Sequence, residues 1–324
     1  MNQTVSRHIL VVMPTWMGDC VMATPAIRAM RAERPASTIV LAMHRSFWPL
    51  FEGSGLTTTG ALPASLGSAW RGRHRVDGTD ALLLPNSPGS AFRARLSWPG
   101  ARLVGWSSMG RTGVLHQAIP RTHRVGSVPT VKHYASLVEA WLGASVTDFQ
   151  VRLEITPADH AAAAEVLARQ GGDASRIVML NPGASKPSKR WPADHFVTVG
   201  RRMAERGALV CVSGSPAELE LCASIAAGIP RAIDLAKAGA GLRGLKGLLA
   251  RARLLVTNDT GTRHVAAALG CPYVCIYGPV DPVVSRLEGA RGTDLVPPDG
   301  ACTSISVDNV ITAAEAWMSQ PALS

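Results

Sequence analysis

No stretch of the 324 residues approaches the about 20 consecutive apolar positions that a membrane-spanning helix requires. The apolar run 9–13 before Pro14 is too short for the core of a secretory signal. A cytoplasmic protein, soluble or peripheral on a membrane, is expected. Paired cysteines are missing too: Cys20, Cys211, Cys222, Cys271, Cys275 and Cys302 are scattered without CxxC spacing, so reduced core thiols are expected and Cys271 with Cys275 is a weak metal signal. No DxD pair follows a strand pattern, so no divalent ion is called for at a nucleotide diphosphate, and neither metal nor cofactor is expected. Acids are scarce in one half. Residues 1–150 hold 15 Lys/Arg against 7 Asp/Glu, whereas 151–324 hold 18 against 16, which places most of the net charge of +10 in the first half. Its clusters, "RGRHR" at 71–75, Arg93 with Arg95, and "RTHR" at 121–124, suit a polyanion or an anionic membrane face, and each alone reads equally well as solvated surface.

What is present is alternation. Apolar residues make up 47% of the chain, in short β-branched runs separated by Ala- and Leu-rich helical patterns, the signature of parallel sheets covered by helices. In the first half, strands are predicted at 8–13, 38–43, 80–84 and 102–105, and helices at 20–33, 45–52, 89–97 and 131–142. The connections 54–78 and 106–130 are long enough to be binding elements. Residues 144–157 read as an extended linker. Strands then follow at 176–181, 208–213, 231–235, 253–257 and 272–277, with helices at 157–170, 192–206, 216–227, 242–252 and 261–269. Two α/β domains are expected, 1–155 and 156–324, with the amphipathic stretch 308–318 able to pack back on the first. Ligands of open α/β sheets sit outside the carboxyl ends of the strands, so two such domains are expected to face each other across a cleft.

Chemistry concentrates at those strand ends. After strand 8–13, Asp19 stands in the turn that opens a helix. An acid there can simply cap the helix, stabilising it by about 0.5–2 kcal/mol, or can take a proton from a substrate hydroxyl as a general base. After strand 176–181, the loop "NPGASKPSKRWP" holds Ser185, Lys186, Ser188, Lys189 and Arg190, which suit a phosphate or merely water, with Trp191 and Pro192 anchoring the helix entry. After strand 253–257, Asn258, Asp259, Thr260 and Gly261 open a helix whose unsatisfied amides and positive end suit a diphosphate, although one of these side chains is enough for a cap. Arg263 adds charge where an anion would lie, and His264 either packs in the core or aims at the ligand. Glu218 is a candidate for ribose hydroxyls or a favourable acid in a helix's first turn. "GAGLRG" at 239–244 matches GxGxxG and keeps an NAD(P)-dependent oxidoreductase open as a weak rival.

Taken together, "PTWMGD" (14–19), "LLPNS" (83–87), "NPGASKPSKRWP" (181–192) and "TNDTGTRHVAAALGCPYVCIYGP" (257–279) resemble the lipopolysaccharide core heptosyltransferases that use ADP-heptose, most nearly the second heptosyltransferase. The resemblance implies a GT-B architecture of two Rossmann-like domains with parallel sheets, the acceptor on the first and the nucleotide sugar on the second. It maps the base onto Asp19, the lysine of the leaving group onto Lys189 and the sugar-contacting acid onto Asp259. Ser185, Thr260 and the stretch Gly261, Thr262, Arg263 and His264 fall where the family holds the donor diphosphate, and Glu218 near its ribose acid. For the acceptor, Arg71, Arg73, Arg75, Asn86 and Ser87 are the candidates. The implied reaction inverts the anomeric carbon of heptose. Implied partners are the donor and an anionic lipid-linked saccharide at the inner membrane's cytoplasmic face, with no nucleic acid. Thr262 and Arg263 depart from the family's usual Leu and Met, and "AKAGAGLRGL" is a Gly-rich variant of its nucleoside-lining segment. A non-catalytic nucleotide-sugar-binding protein is a further alternative.

Overall fold

A computed structural model describes residues 8–57, 62–63, 79–108, 110–169 and 176–321. The chain divides into two compact units, Met1–Val151 with Val283–Leu287, and Arg152–Pro282 with Glu288–Ser324. In the first, β1 (His8–Val12), β2 (Thr38–Met43), β3 (Leu62–Pro63), β4 (Thr79–Leu83), β5 (Arg102–Trp106) and β6 (Gln117–Ile119) form a parallel sheet in the order β3-β2-β1-β4-β5-β6. Central strands of such sheets are covered on both faces and so are apolar throughout, which is why Ile9, Leu10, Val11 and Val12 are consecutive and all buried. Leu10 pairs with Val40 on one side and Ala81 on the other.

The helix predicted over 20–33 is two helices, α1 (Met17–Met22) and α2 (Thr24–Glu33), joined at Ala23. Pro25 lies in the first turn of α2, where its missing N–H costs nothing. Helix α3 (Pro88–Ser97) lays Ala91 and Ala94 on Leu10, Val12, Leu83 and Leu103. Helix α4 (Thr130–Leu142) ends at Gly143, whose φ of 71° lets its N–H reach the Glu139 carbonyl at 2.8 Å.

The second unit repeats the winding. Its strands β7 (Ile177–Asn181), β8 (Leu209–Val212), β9 (Ile233–Asp234), β10 (Ala252–Asn258), β11 (Tyr273–Ile276) and β12 (Gly292–Leu295) form a parallel sheet in the order β12-β11-β10-β7-β8-β9. In both units the first and fourth strands lie side by side, β1 with β4 and β7 with β10. The chain winds away from that pair in opposite directions, and the crevice at such a switch point is where ligands of this architecture sit. Around this sheet run α5 (Pro157–Arg169), α6 (Ala193–Glu205), α7 (Leu219–Ala227), α8 (Gly241–Leu249) and α9 (Gly261–Ala268), then, after the short α10 (Pro282–Ser285) at the segment that belongs to the first unit, α11 (Val307–Met318). Helix α6 shows the expected stripe, with Phe196, Val199, Gly200 and Met203 buried.

The stretch 308–318 is part of the second unit: on α11, Val310, Ala314 and Met318 repeat every four residues and are buried with Val256, Val274 and Ile276 in that unit's core. The segment Val283–Leu287 joins the first unit, where the Thr130 hydroxyl donates to the Val284 carbonyl at 2.9 Å. One expectation is corrected. "GAGLRG" is not a dinucleotide loop. It follows the two-residue edge strand β9 and runs into α8, where a Cβ on Gly244 would touch Ala240 Cβ at 3.0 Å and one on nearby Gly247 would lie 2.2 Å from the Asp159 carbonyl of α5. The Gly244 contact is with the N-cap of its own helix, and of the two it is Gly247, outside the motif, that lets α5 approach; the place of the motif after an edge strand, away from the switch point of the sheet, removes the one observation behind the oxidoreductase reading. All six cysteines are free and buried. Among the described residues, no helix is long and apolar enough to cross a membrane, and no His, Cys, Asp and Glu group is arranged to hold a metal.

Candidate active site

In the second unit two asparagines end the two central strands and organise everything beyond them. Asn181, closing β7, donates to the Ser213 carbonyl at 2.9 Å and its Oδ1 accepts the Thr260 hydroxyl at 3.0 Å. Asn258, closing β10, donates to the Pro182 and Gly183 carbonyls at 2.7 and 3.2 Å, and its Oδ1 accepts the Trp191 N–H at 3.2 Å. One buried side-chain amide thus holds both ends of the loop 182–191. Trp191 is fully buried and its indole N–H donates to the Ile305 carbonyl at 2.9 Å, so the loop is anchored as its sequence suggests. Arg190 closes the loop on itself by donating to the Ala184 carbonyl at 3.1 Å. Gly278, after β11, admits the turn Pro187–Lys189: a Cβ there would sit 3.1 Å from the Lys189 Cα.

The result is a three-part charge cluster. Lys189 Nζ lies 3.2 Å from Asp259 Oδ2, while Arg263 Nη2 lies 3.4 Å from Asp259 Oδ1. Burial acts to raise the Asp259 carboxyl, but Arg263 and then Lys189 outweigh it and hold the group below its ordinary value. Arg263 is fully buried, stacked 5.4 and 5.5 Å from the rings of Tyr273 and Tyr277. Its side chain therefore does not lie where an anion would be met, as its sequence position suggests. It faces inward and acts on Asp259. His264 and Thr262 are likewise buried: His264 Nδ1 bonds the Thr260 carbonyl at 3.1 Å, and burial, then Arg263, push its pKa down to about 3, so the ring is neutral at pH 7. What this turn leaves for a ligand is backbone. Helix α9 starts at Gly261 with no side-chain cap, because Thr260 is turned toward Asn181, and its first amides have no intrahelical acceptor.

Glu218 and Ser185 border the same strand ends. Glu218 Oε2 accepts the Ser215 N–H and hydroxyl, both at 2.8 Å, and the carboxylate occupies the space that a side chain at Gly183 would need. Glu218 is thus both the capping acid and a carboxylate fixed beside the 182–191 loop. Ser185, Lys186 and Ser188 are exposed.

In the first unit Asp19 lies on α1, in the turn after β1, and Cys20 Sγ ties that turn to the Pro14 carbonyl at 3.2 Å. Asp19 has no ion pair among the described residues, and burial raises its carboxyl to about 6. Asn86, just beyond β4, meets His133 Nε2 at 2.8 Å, and Ser87 caps α3 by accepting the Ser90 N–H at 3.2 Å, so the Ser87 side chain already has a structural task. Arg71, Arg73 and Arg75 lie outside the described residues.

The sequence profile described as "Glycosyltransferase family 9 (heptosyltransferase)" matches residues 73–296. The chain belongs to that family. Lipooligosaccharide heptosyltransferase 2 of Haemophilus ducreyi is 28% identical, the match covering 85% of this chain and 84% of that protein. Lipopolysaccharide heptosyltransferase 2 of Escherichia coli K12 is 27% identical over 85% and 83% of the two chains. The solved E. coli ADP-heptose lipopolysaccharide heptosyltransferase II superposes with a TM-score of 0.81 at 25% identity, covering 96% and 98%. Sequence reasoning missed Asn181 as an organiser and the inward turn of Arg263. The one signal available for the latter is its position four residues after Asp259 on a helix.

Proposed function

We propose that this glycosyltransferase moves heptose from ADP-L-glycero-D-manno-heptose to the inner core of lipopolysaccharide, on a Kdo-lipid A type acceptor, with inversion at the anomeric carbon. The observation that carries the reading is the Lys189–Asp259 pair at 3.2 Å, at the ends of adjacent strands and beside the open amides of α9, in a chain that heptosyltransferases 2 match over 85% of its length. The second unit takes the donor. Lys189, Ser185 and the amides of Gly261 to His264 meet charge growing on the β-phosphate as ADP leaves, Asp259 contacts the sugar and Glu218 the ribose. The first unit takes the acceptor, through Arg71, Arg73, Arg75 and Asn86. Asp19 withdraws the proton of the attacking hydroxyl. A carboxylate near 6 suits that task, being ionised at neutral pH yet more basic than an ordinary aspartate.

Contact with the anionic cytoplasmic face of the inner membrane belongs to the same reading. Its support is the basic first half and the exposed Phe92 and Leu96, 59% and 45% accessible, on α3 beside Arg93 and Arg95. The reaction uses no divalent ion in this reading, because Lys189 and the helix end carry the phosphate charge. The test is ADP release with a lipid-linked Kdo acceptor, in the presence and absence of EDTA, across ADP-, UDP-, GDP- and CDP-sugars. Release with ADP-heptose alone, unaffected by EDTA, is expected. Turnover of another nucleotide sugar alone would discard the donor, EDTA inhibition the metal-free step, and ADP-heptose binding without release over any acceptor the enzyme itself.

A further inference from the structure

Beyond the carboxyl ends of β4, β5 and β6 lie cations with no anion beside them among the described residues. Arg111 is fully buried, yet its guanidinium has one partner among the described residues, the Pro85 carbonyl; Nε and Nη2 have none. It lies over Gly105 of β5, where a Cβ would come within 2.5 Å of Nη2. No carboxylate among the described residues acts on it. The charge that acts on it among those residues is Arg121, also cationic, and burial and then that repulsion bring its pKa down to about 10. His123 and His133 stand beside the pair, 2.9 Å apart; both are lowered, by burial first and with Arg121 contributing, and an imidazole, neutral or protonated, offers the arginines no negative charge.

Two further polar groups are left open. Asn86 uses one end of its amide on His133 and has no partner for the other, buried, end; whichever way the amide is turned, one end stays free. The Trp106 indole N–H is buried without an acceptor, its ring 5.8 Å from His133. Buried polar atoms are ordinarily bonded and buried charges ordinarily paired. Here an arginine, an indole and an amide all break that rule in one place, at the ends of β4, which pairs with β1, and of β5, the next strand out.

We propose that Arg111, Arg121, Asn86 and Trp106 form a binding site for an oxyanion, a carboxylate or a phosphate, carried by the acceptor. The identity of the bearer rests on the heptosyltransferase reading; the site itself does not. Arg121, half-buried, is the group that meets the anion at the mouth, Asn86 and the indole can hydrogen-bond it, and Arg111 supplies charge from below. An anion held there orients the acceptor beside Asp19 without touching the reacting oxygen, so these are positioning residues.

The test uses the full chain and two probes, inorganic phosphate and acetate, followed by thermal shift, with acceptor kinetics alongside. Wild type should be stabilised by one of the two, and the one that protects names the anion. Arg121→Gln should lose that protection and raise the acceptor KM tenfold or more, with the KM for the donor unmoved. Arg111→Met should lose protection too; if it fails to fold, Asn86→Ala replaces it and should weaken protection and raise the acceptor KM. Protection by neither anion, or protection and acceptor KM that survive Arg121→Gln, would overturn the site. A chain that transfers no heptose yet shows Arg121-dependent protection would instead retire the functional reading and leave the site standing.

Discussion

Asp19 and Asp259 stand at comparable places in two sheets of the same winding: each follows a strand of the central pair, β1 in the first unit and β10 in the second, and lies where the chain turns into a helix. Their surroundings are opposite. Asp259 is held between two cations, Lys189 on one oxygen and Arg263 on the other, and is kept ionised. Asp19 is half-buried without an ion pair among the described residues and is raised to about 6. A carboxylate that must stay charged while it orients a sugar gains from fixed partners. One that must take up a proton gains from their absence.

The largest break in this comparison comes from removing the unpaired acid. Asp19→Ala should lower kcat by about 10³-fold or more while leaving ADP affinity within about twofold, since the donor groups lie on the other unit. In the wild type, kcat/KM should fall about tenfold per pH unit below about 6, as Asp19 protonates, and stay level above it. Initial rates of ADP release check both, and turnover within tenfold of wild type in Asp19→Ala would move the base elsewhere.

Next in size is the paired side. Lys189→Met removes one cation from Asp259 and the donor assigned to the departing phosphate, and should cost about 10²–10³-fold in kcat, or about 3–4 kcal/mol. Single-turnover rates at saturating donor separate this from weakened binding. A change confined to KM would make Lys189 a binding group only.

The comparison also predicts a stability difference. Asp19 has a folded pKa above its unfolded one, so its contribution is neutral below about pH 4, where both states are protonated, and unfavourable above about 6, where both are ionised. The ceiling is about 3 kcal/mol at about 1.4 kcal/mol per pKa unit, and partial solvent access reduces it to about 1.5–2. Asp19→Asn should therefore stabilise the first unit by that amount at pH 8 and by almost nothing at pH 3. Thermal melts at the two pH values read it, and an equal gain at both would mean that the effect is not electrostatic.

Much of this was legible beforehand, for identifiable reasons. The central strands announce themselves because burial on both faces requires unbroken apolar runs, as in Ile177–Leu180. The edge strands β3, β6 and β12 were missed; β12, "GTDL", is half-exposed and carries no such run. Asp19, Lys189 and Asp259 could be picked out because their place after a strand is a local property. What Asn181 and Arg263 do depends on partners distant in sequence or on which way a side chain turns: Asn181 reaches Ser213 and Thr260, and Arg263 stacks under Tyr273 and Tyr277. Arg111 was invisible for the same reason, since its burial depends on Gly105 and Pro85.

Arg263 offers the sharpest way to ask whether the two acids differ by design of their surroundings or by position alone. Arg263→Met keeps the bulk of an inward-facing side chain and removes its charge, leaving Asp259 with Lys189 as its one cation. The charge of Arg263 is the first of the influences that lower Asp259, ahead of that of Lys189, so without it the carboxyl should rise. Because a depressed carboxyl does its work above its pKa and loses it as pH falls through that value, the variant's activity should begin to fail at a higher pH than wild type on the acid side. At pH 8 the loss should be small, about tenfold in kcat or about 1.4 kcal/mol, arising from a Lys189 drawn more fully onto Asp259 and away from the departing phosphate. A pH–rate profile of the variant superimposable on that of wild type would show that Lys189 alone suffices to keep Asp259 charged, and would reduce Arg263 to packing between the tyrosines.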